Sequence, residues 1–352
     1  MENSIRVGIL GAAGFRGREL FQLFSQSTGV SITALADCDR EKLSTFYDVA
    51  FGIRLYTDAI ELAKSLIVDA IVIATPDYLH EEHACMALKF GKHVYLEKPM
   101  AITPKGCDNL IRVAKESTGI LYVGHNLRYF TVIKKIKEVI DSGVIGDVKS
   151  IWCRQPIGYG RWAYFSEGRW HKKRENTGGL LIHKGSHDID IIHWFGGGHS
   201  TRVVAMGALS VWHDQPDHPD IEDLSSVLMQ LNNGVQATYT QCHFAFRAAR
   251  EYTILGTKGT LQNIGDDPAI AKVQLFTKRG LRFLDLPTNE WQFEEEKGFH
   301  GYADVRTVEE FLGIVRGERQ PSISLEDAAW AVKTGWAATQ SLCCGNIPIE
   351  IL

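Results

Sequence analysis

For roughly the first third of the chain, short apolar runs alternate with amphipathic stretches; later runs alternate apolar and polar residue by residue. Ile5–Leu10 is mostly apolar and enters Gly11-Ala12-Ala13-Gly14-Phe15-Arg16-Gly17, after which Leu20, Phe21, Leu23 and Phe24 line one side of a helix. Ser31–Ala36 is the next strand and ends at Asp37. Val68–Ala74 is an almost unbroken apolar run of the kind buried in parallel sheets, and it stops at Thr75-Pro76-Asp77. A helix then runs to Phe90, with Gly91 as its stop. Val94–Leu96 is a short strand leading into Glu97-Lys98-Pro99; Thr103 and Pro104 form the cap and first position of another helix, and Ile120–Val123 is one more strand. Strands alternating with helices predict a doubly wound parallel sheet whose ligands sit at the C-terminal strand ends. The glycine loop, Asp37, Thr75 and Lys98 all fall at such ends.

Beyond that region, Thr131–Asp141 has apolar residues at 132, 133, 136, 139 and 140, an amphipathic helix. A second sheet begins at Ile151. Ser226–Leu231, Val235–Tyr239 and Glu251–Leu255 read as its strands, with Asn232-Asn233-Gly234 as a hairpin turn and Gly256-Thr257-Lys258-Gly259-Thr260 as another turn. Leu325–Leu342 is a last helix with a stripe through Ala328, Ala329, Val332 and Trp336. The 352 residues accommodate two domains, expected at 1–125 and 126–352. A net charge of -4 gives no electrostatic case for nucleic acid or an anionic membrane surface. No apolar run approaches the roughly 20 residues that span a bilayer. The N-terminus enters a strand without a signal-peptide pattern, and the seven scattered cysteines include no CxxC pair; both point to reduced thiols and a cytoplasmic location.

Strand, glycine turn, helix is the context in which a glycine motif is informative. Glycines let the backbone approach a pyrophosphate, and the helix start offers free N–H groups. The spacing here is GxxGxxG, with Ala13 where the GxGxxG form has its second glycine. Asp37 lies 20 residues past Gly17, suited to hydrogen-bonding an adenosine ribose diol. Its carboxylate repels a 2′-phosphate, which favours NAD over NADP, although Arg40 offers that phosphate a partner; the other reading of Asp37 and Asp39 is a plain turn. Pro99 disfavours the helical region for Lys98, so the lysine is presented from extended backbone.

With these elements, the chain resembles the Gfo/Idh/MocA oxidoreductases, the glucose–fructose oxidoreductase and inositol dehydrogenase family. The resemblance is carried by the glycine loop, Ala74-Thr75-Pro76 with His80, and Glu97-Lys98-Pro99. Gly124-His125-Asn126-Leu127-Arg128-Tyr129, Gly143-Val144-Ile145-Gly146, and Gly178-Gly179 with His187 and Asp190 continue it. It implies an N-terminal Rossmann domain, a C-terminal α/β domain with a large, mostly antiparallel sheet, and homodimers or homotetramers packed through that sheet. It also implies a nicotinamide cofactor. Gly11, Ala13, Gly14, Phe15, Arg16 and Gly17 would hold it, with Asp37, Thr75, Pro76, His80, Glu97, Lys98 and Asn126. Lys98 and His187 would share the proton of a substrate hydroxyl. The residue four before the histidine is often aspartate in the family; here it is His183, a third candidate for the chemistry.

Aromatic and basic residues cluster between Trp152 and His171. Aromatic faces beside hydrogen-bonding groups suit a sugar or cyclitol ring, so Arg154, Trp162 and Trp170 join Lys98, Arg128, His183 and His187 as expected substrate contacts; core or subunit packing is the other reading. On one helix, His183, His187 and Asp190 share a face. That spacing also suits a metal, with His193 as a further ligand, but the family reaction needs none and no metal is expected. His213 and His218 read as part of a polar loop. The expected activity is oxidation of a ring hydroxyl of a sugar, sugar derivative or cyclitol. The alternatives are a cofactor-recycling glycosidase acting through a transient 3-keto glycoside, and a non-catalytic cofactor-binding regulator.

Overall fold

The computed structural model describes residues 4–46, 52–158, 165, 169–214, 219–267, 269–278, 286–293 and 302–351. Its contacts divide the chain into two units: Met1–His125 with Asp304–Ala329, and Asn126–Ala303 with Trp330–Leu352.

The first unit is built on β1 (Ile5–Leu10), β2 (Val30–Ala36), β3 (Arg54–Tyr56), β4 (Ala70–Ile73), β5 (His93–Glu97) and β6 (Leu121–Gly124). They form one parallel sheet in the order β3-β2-β1-β4-β5-β6. Between them run α1 (Phe15–Ser25), α2 (Arg40–Phe46), α3 (Ala59–Lys64), α4 (His80–Lys89) and α5 (Pro104–Glu116). Strand order reverses between β1 and β4, and the connections leaving those two ends diverge to open a crevice. Gly11 follows one strand end and Thr75 closely follows the other. The apolar stripe of α1 turns inward as its spacing requires, with Leu20 and Phe24 fully buried. Thr103 caps α5 by accepting the Gly106 N–H at 3.0 Å, with Pro104 first in the helix.

In the second unit, α6 (Thr131–Asp141) buries Val132, Ile133, Ile136 and Val139. It is followed by β7 (Val148–Gly158), α7 (Arg174–Thr177), α8 (Leu180–His183) and α9 (Gly185–Gly196). Then come β8 (Ser200–Ala208), β9 (Leu224–Leu231), β10 (Gln236–Ala245), β11 (Glu251–Gly256), β12 (Gly259–Ile264), β13 (Lys272–Thr277) and β14 (Asn289–Gln292). With β15 (Ile349–Glu350) these strands make a nine-stranded sheet, β14-β13-β12-β11-β7-β10-β9-β8-β15. Among the described strands, only the β7–β10 pair of this sheet is parallel. The hairpin predicted at Asn232-Asn233-Gly234 joins β9 to β10, with Gly234 at φ +85°.

Two helices, α10 (Ala303–Val315) and α11 (Leu325–Cys343), precede β15. Here the second domain expected at 126–352 is interrupted. From Asp304 on, α10 packs on the parallel sheet: Phe311 meets Phe24 and Tyr95 edge-on, and the Tyr122 hydroxyl donates to Glu310 at 2.7 Å. The sheet needs an apolar cover on this face, and a segment distant in sequence supplies it. A second departure lies in 178–194, read as one helix. It is two, α8 and α9, joined at Lys184. Gly185 opens α9, and a Cβ there would lie 3.3 Å from the Tyr239 ring. No helix among the described residues is long and apolar enough to cross a membrane.

Candidate active site

The turn after β1 is tight because its glycines leave room for nothing else. Gly11 sits at φ +82°, and a Cβ there would meet the Ala74 carbonyl oxygen at 2.7 Å. One at Gly17 would lie 2.2 Å from the Gly11 oxygen, so the third glycine lets α1 pack against the loop. Gly14 caps α1, whose first turn holds no acidic residue, leaving the helix start suited to an anion. Phe15, first in the helix, is 64% exposed, and Ala13 is buried. At the end of β2, Asp37 accepts the Ala13 N–H through Oδ2 at 2.9 Å and the Asp39 N–H through Oδ1 at 3.1 Å. The carboxylate that sequence spacing assigns to a ribose is thereby fixed beside the glycine loop. This cradle, which Cβ atoms would fill, fits a dinucleotide.

Past β4, Thr75 and Pro76 lead into a 3₁₀ turn and then α4. Its first residue, His80, is 1% exposed. Nδ1 lies 2.7 Å from the Pro99 carbonyl oxygen and Nε2 lies 3.0 Å from that of Thr75. His83, absent from the sequence reading, meets the Thr75 hydroxyl at 3.1 Å, and burial lowers its pKa. Lys98 is half-buried immediately past β5, and its peptide to Pro99 is cis. Before it, Glu97 accepts from Arg16 Nε at 2.8 Å. The same guanidinium grips Asp304 through two bonds, at 2.8 and 3.0 Å, and reaches Glu19 at 3.3 Å. Burial disfavours the Arg16 cation, but Glu97 and Asp304 outweigh it and hold its pKa well above the ordinary guanidinium value. Of the side chains expected on the cofactor, Arg16 and Glu97 bond to each other and Arg16 also to Asp304, while His80 faces the Pro99 and Thr75 carbonyls.

In the second unit, α8 and α9 carry His183 and His187, which are 6% and 8% exposed. Trp170 stacks on His171 with centroids 3.8 Å apart, and the His183 ring meets both edge-on, at 5.6 and 5.1 Å. Two residues from separate parts of the sequence reading, Trp170 and His183, are thus brought together. His243 on β10 is also buried; burial, with Lys184 and His183 adding positive charge, pushes its pKa down to about 3. Asp190 holds Arg128 through two bonds of 2.6 and 2.9 Å, and that guanidinium also lies over the Trp194 ring. The expected substrate contact Arg128 therefore has a structural partner. Asn126 is buried in the turn that follows β6.

Arg154 is a plain correction. Strand side chains alternate, and its neighbour Cys153 faces α9, where its Sγ lies 3.7 Å from Asp188. Arg154 therefore points from the opposite face of the sheet, largely exposed, and pairs with Glu251 at 3.0 Å. It cannot share a substrate with His187. Trp162 and His218 lie outside the described residues.

Sequence reasoning also missed Asp188, which is fully buried on the sheet-facing side of α9. It accepts from Arg250 Nε at 2.7 Å and the Tyr252 hydroxyl at 2.5 Å. Burial and the Asp188 charge raise the Tyr252 pKa well above its ordinary value, so that hydroxyl stays a donor. The available signal was periodicity: one position past His187, residue 188 turns about 100° around the helix, toward the sheet. Among the described residues, no group of three or more His, Cys, Asp or Glu is arranged to hold a metal ion.

A doubly wound parallel sheet with this cradle, joined to a second unit with a large mixed sheet, defines a dinucleotide-binding two-domain protein. The family model for the oxidoreductase family's NAD-binding Rossmann fold matches residues 5–125, and that for its C-terminal alpha/beta domain matches 137–351. The chain belongs to the Gfo/Idh/MocA oxidoreductases. It is 30% identical over 251 residues to a 2,7-anhydro-N-acetylneuraminate hydratase of Mediterraneibacter gnavus, covering 71% of this chain and 64% of that protein. It is 24% identical over 345 residues to a myo-inositol 2-dehydrogenase of Thermotoga maritima, covering 96% of each. The solved structure of scyllo-inositol dehydrogenase from Lactobacillus casei, with bound NAD(H) and scyllo-inositol, superposes with a TM-score of 0.79 at 22% identity, covering 99% of each chain.

Proposed function

We propose that the protein is an NAD-dependent dehydrogenase that oxidises a ring hydroxyl of a sugar, sugar derivative or cyclitol. The observation that carries this reading is the half-buried Lys98 at the C-terminal end of β5, in a Rossmann unit whose glycine cradle and Asp37 suit NAD. Bound NAD supplies the hydride acceptor. Lys98 donates a hydrogen bond to the substrate hydroxyl and lowers its pKa. His187 takes the hydroxyl proton at a ring nitrogen, or Lys98 relays it. His183, with Trp170 and His171 beside it, orients the ring, whose C–H face suits aromatic surfaces. The inositol dehydrogenases among its relatives support the substrate class. Asp37 supports NAD over NADP, by repulsion of a 2′-phosphate. Replacing Lys98 with Ala should lower turnover by about 10²–10⁴-fold. Full turnover in Lys98→Ala would remove the assignment.

A second reading has its own support. His183 stands where the family often has aspartate, and a relative at 30% identity is named for a hydratase reaction. In a cofactor-recycling reaction, oxidation at the sugar is transient, elimination follows, and the hydride returns. Product analysis separates the two: aglycone release from a glycoside without net reduced cofactor supports the second.

A further inference from the structure

We infer that Arg16 and His80 are positioning residues for Lys98, clamping the residues on either side of it. The inference rests on the reading of Lys98 as the group that acts on the substrate hydroxyl. Glu97, before the lysine, is 8% exposed and receives Arg16 Nε at 2.8 Å. Arg16 is anchored in turn by the two bonds to Asp304. Pro99, after the lysine, has its carbonyl oxygen 2.7 Å from His80 Nδ1, the shorter of the ring's two carbonyl contacts; the Thr75 carbonyl lies 3.0 Å from Nε2, and the neutral ring, with one N–H, donates to one of the two. Each clamp starts from a different helix: Arg16 stands in the first turn of α1, two residues past Gly14, and His80 opens α4.

A long flexible amine performs proton chemistry well only if its backbone is held to a fraction of an ångström, and supporting side chains provide that. All three guanidinium nitrogens of Arg16 are bonded to protein carboxylates, and both ring nitrogens of His80 face backbone carbonyls, one of which receives its N–H. Their chemistry is therefore directed at the lysine's neighbours rather than at a phosphate. Arg16 also ties the start of the glycine-loop helix to the lysine strand, so the cradle and Lys98 share one frame.

The first measurement needs no substrate. In the full-length protein, the rate at which an amine-reactive probe modifies Lys98 would be followed by mass spectrometry across pH, with the exposed Lys105 as internal reference. The proteins compared would be wild type, Arg16→Met, His80→Ala and the milder Arg16→Lys and His80→Gln. Circular dichroism would establish folding, and titration would give NAD⁺ affinity. Loss of a clamp is expected to shift the Lys98 profile toward that of Lys105, with the milder variants in between and NAD⁺ affinity within about threefold of wild type. Turnover with an identified polyol should fall by roughly 10²-fold, in line with misplacement by about 1 Å. An unchanged Lys98 profile in folded variants would overturn the inference. So would a loss of NAD⁺ affinity with turnover kept at saturating NAD⁺, which would make the two side chains cofactor ligands. Full turnover in Lys98→Ala would instead overturn the reading beneath it, while the reactivity profile would still report on the clamps.

Discussion

His243 shows how the second unit couples charge to stability. Its folded pKa is depressed to about 3 from an ordinary 6.5, mainly by burial, so the folded protein keeps the ring neutral where the unfolded chain protonates it. Below 6.5 the unfolded state therefore binds one more proton, and stability falls with falling pH until about 3. The slope is about 1.4 kcal/mol per pH unit, or about 2 kcal/mol between the ordinary value and about pH 5. His243→Gln keeps an amide donor for Gln241 but cannot titrate. In denaturant titrations it should lose about 2 kcal/mol less than wild type over that interval; equal losses would show that His243 carries no such linkage. Single residues were legible in sequence mainly when their role is local. The Asp37 carboxylate was found from its distance to the glycines and indeed meets the loop through the Ala13 N–H. The partner of His80 is 19 positions away across a strand end, and no spacing rule joins them.

Among the elements, the glycine loop with α1 is the least tolerant of change. In Gly17→Ala the new methyl would lie 2.2 Å from the Gly11 oxygen, so α1 or the loop must move. NAD⁺ affinity is expected to fall at least about tenfold, with a stability loss of about 1–3 kcal/mol; calorimetric titration and thermal melts would check both. The α10 helix is held to α1 by a pair whose partners are mostly buried: the Asp304 side chain is 11% exposed and that of Arg16 20%. Asp304→Ala leaves the guanidinium with Glu97 and Glu19 but removes its bidentate partner, and should cost about 3 kcal/mol, near the lower end of the range for a broken buried pair. A denaturation midpoint equal to wild type would refute that. Elements such as β4 were readable because a buried parallel strand is apolar on both faces. Which sheet α10 covers was not readable, since an amphipathic stripe says that a helix is covered and not by what. The break at Lys184 escaped for a similar reason: it accompanies close packing of Gly185 against Tyr239, a contact across the fold.

At the scale of the whole molecule, the face of the nine-stranded sheet turned away from α9 carries an apolar group. Val204, Leu228, Thr238 and Trp152 lie side by side on four adjacent strands, and Leu228 and Trp152 are 54% and 49% exposed. Met206, one inward–outward step along, is also exposed. We propose that this face joins copies of the chain into a homodimer or homotetramer, since exposed apolar groups of this kind mark association surfaces and self-association through one face closes with two-fold symmetry. Trp152→Glu combined with Leu228→Glu should yield monomers in sedimentation velocity while leaving the fold intact; an unchanged sedimentation coefficient would exclude the face. The error over Arg154 belongs to this scale as well: alternation places Arg154 opposite Cys153, but which face α9 covers is decided by the whole fold. The architecture was legible because its two periodicities change along the chain, from buried runs to alternation. The grouping of the proposed substrate contacts was not, because positions such as Trp170 and His183 are related only in three dimensions. The dehydrogenase reading is decided by the near-ultraviolet absorbance of reduced nicotinamide. It would follow purified protein given NAD⁺ or NADP⁺ with myo-inositol, other cyclitols, free sugars and methyl glycosides. A dehydrogenase gives a rise with NAD⁺ and at least one ring polyol, abolished in Lys98→Ala. No rise with any polyol, together with aglycone release from glycosides, would contradict that reading.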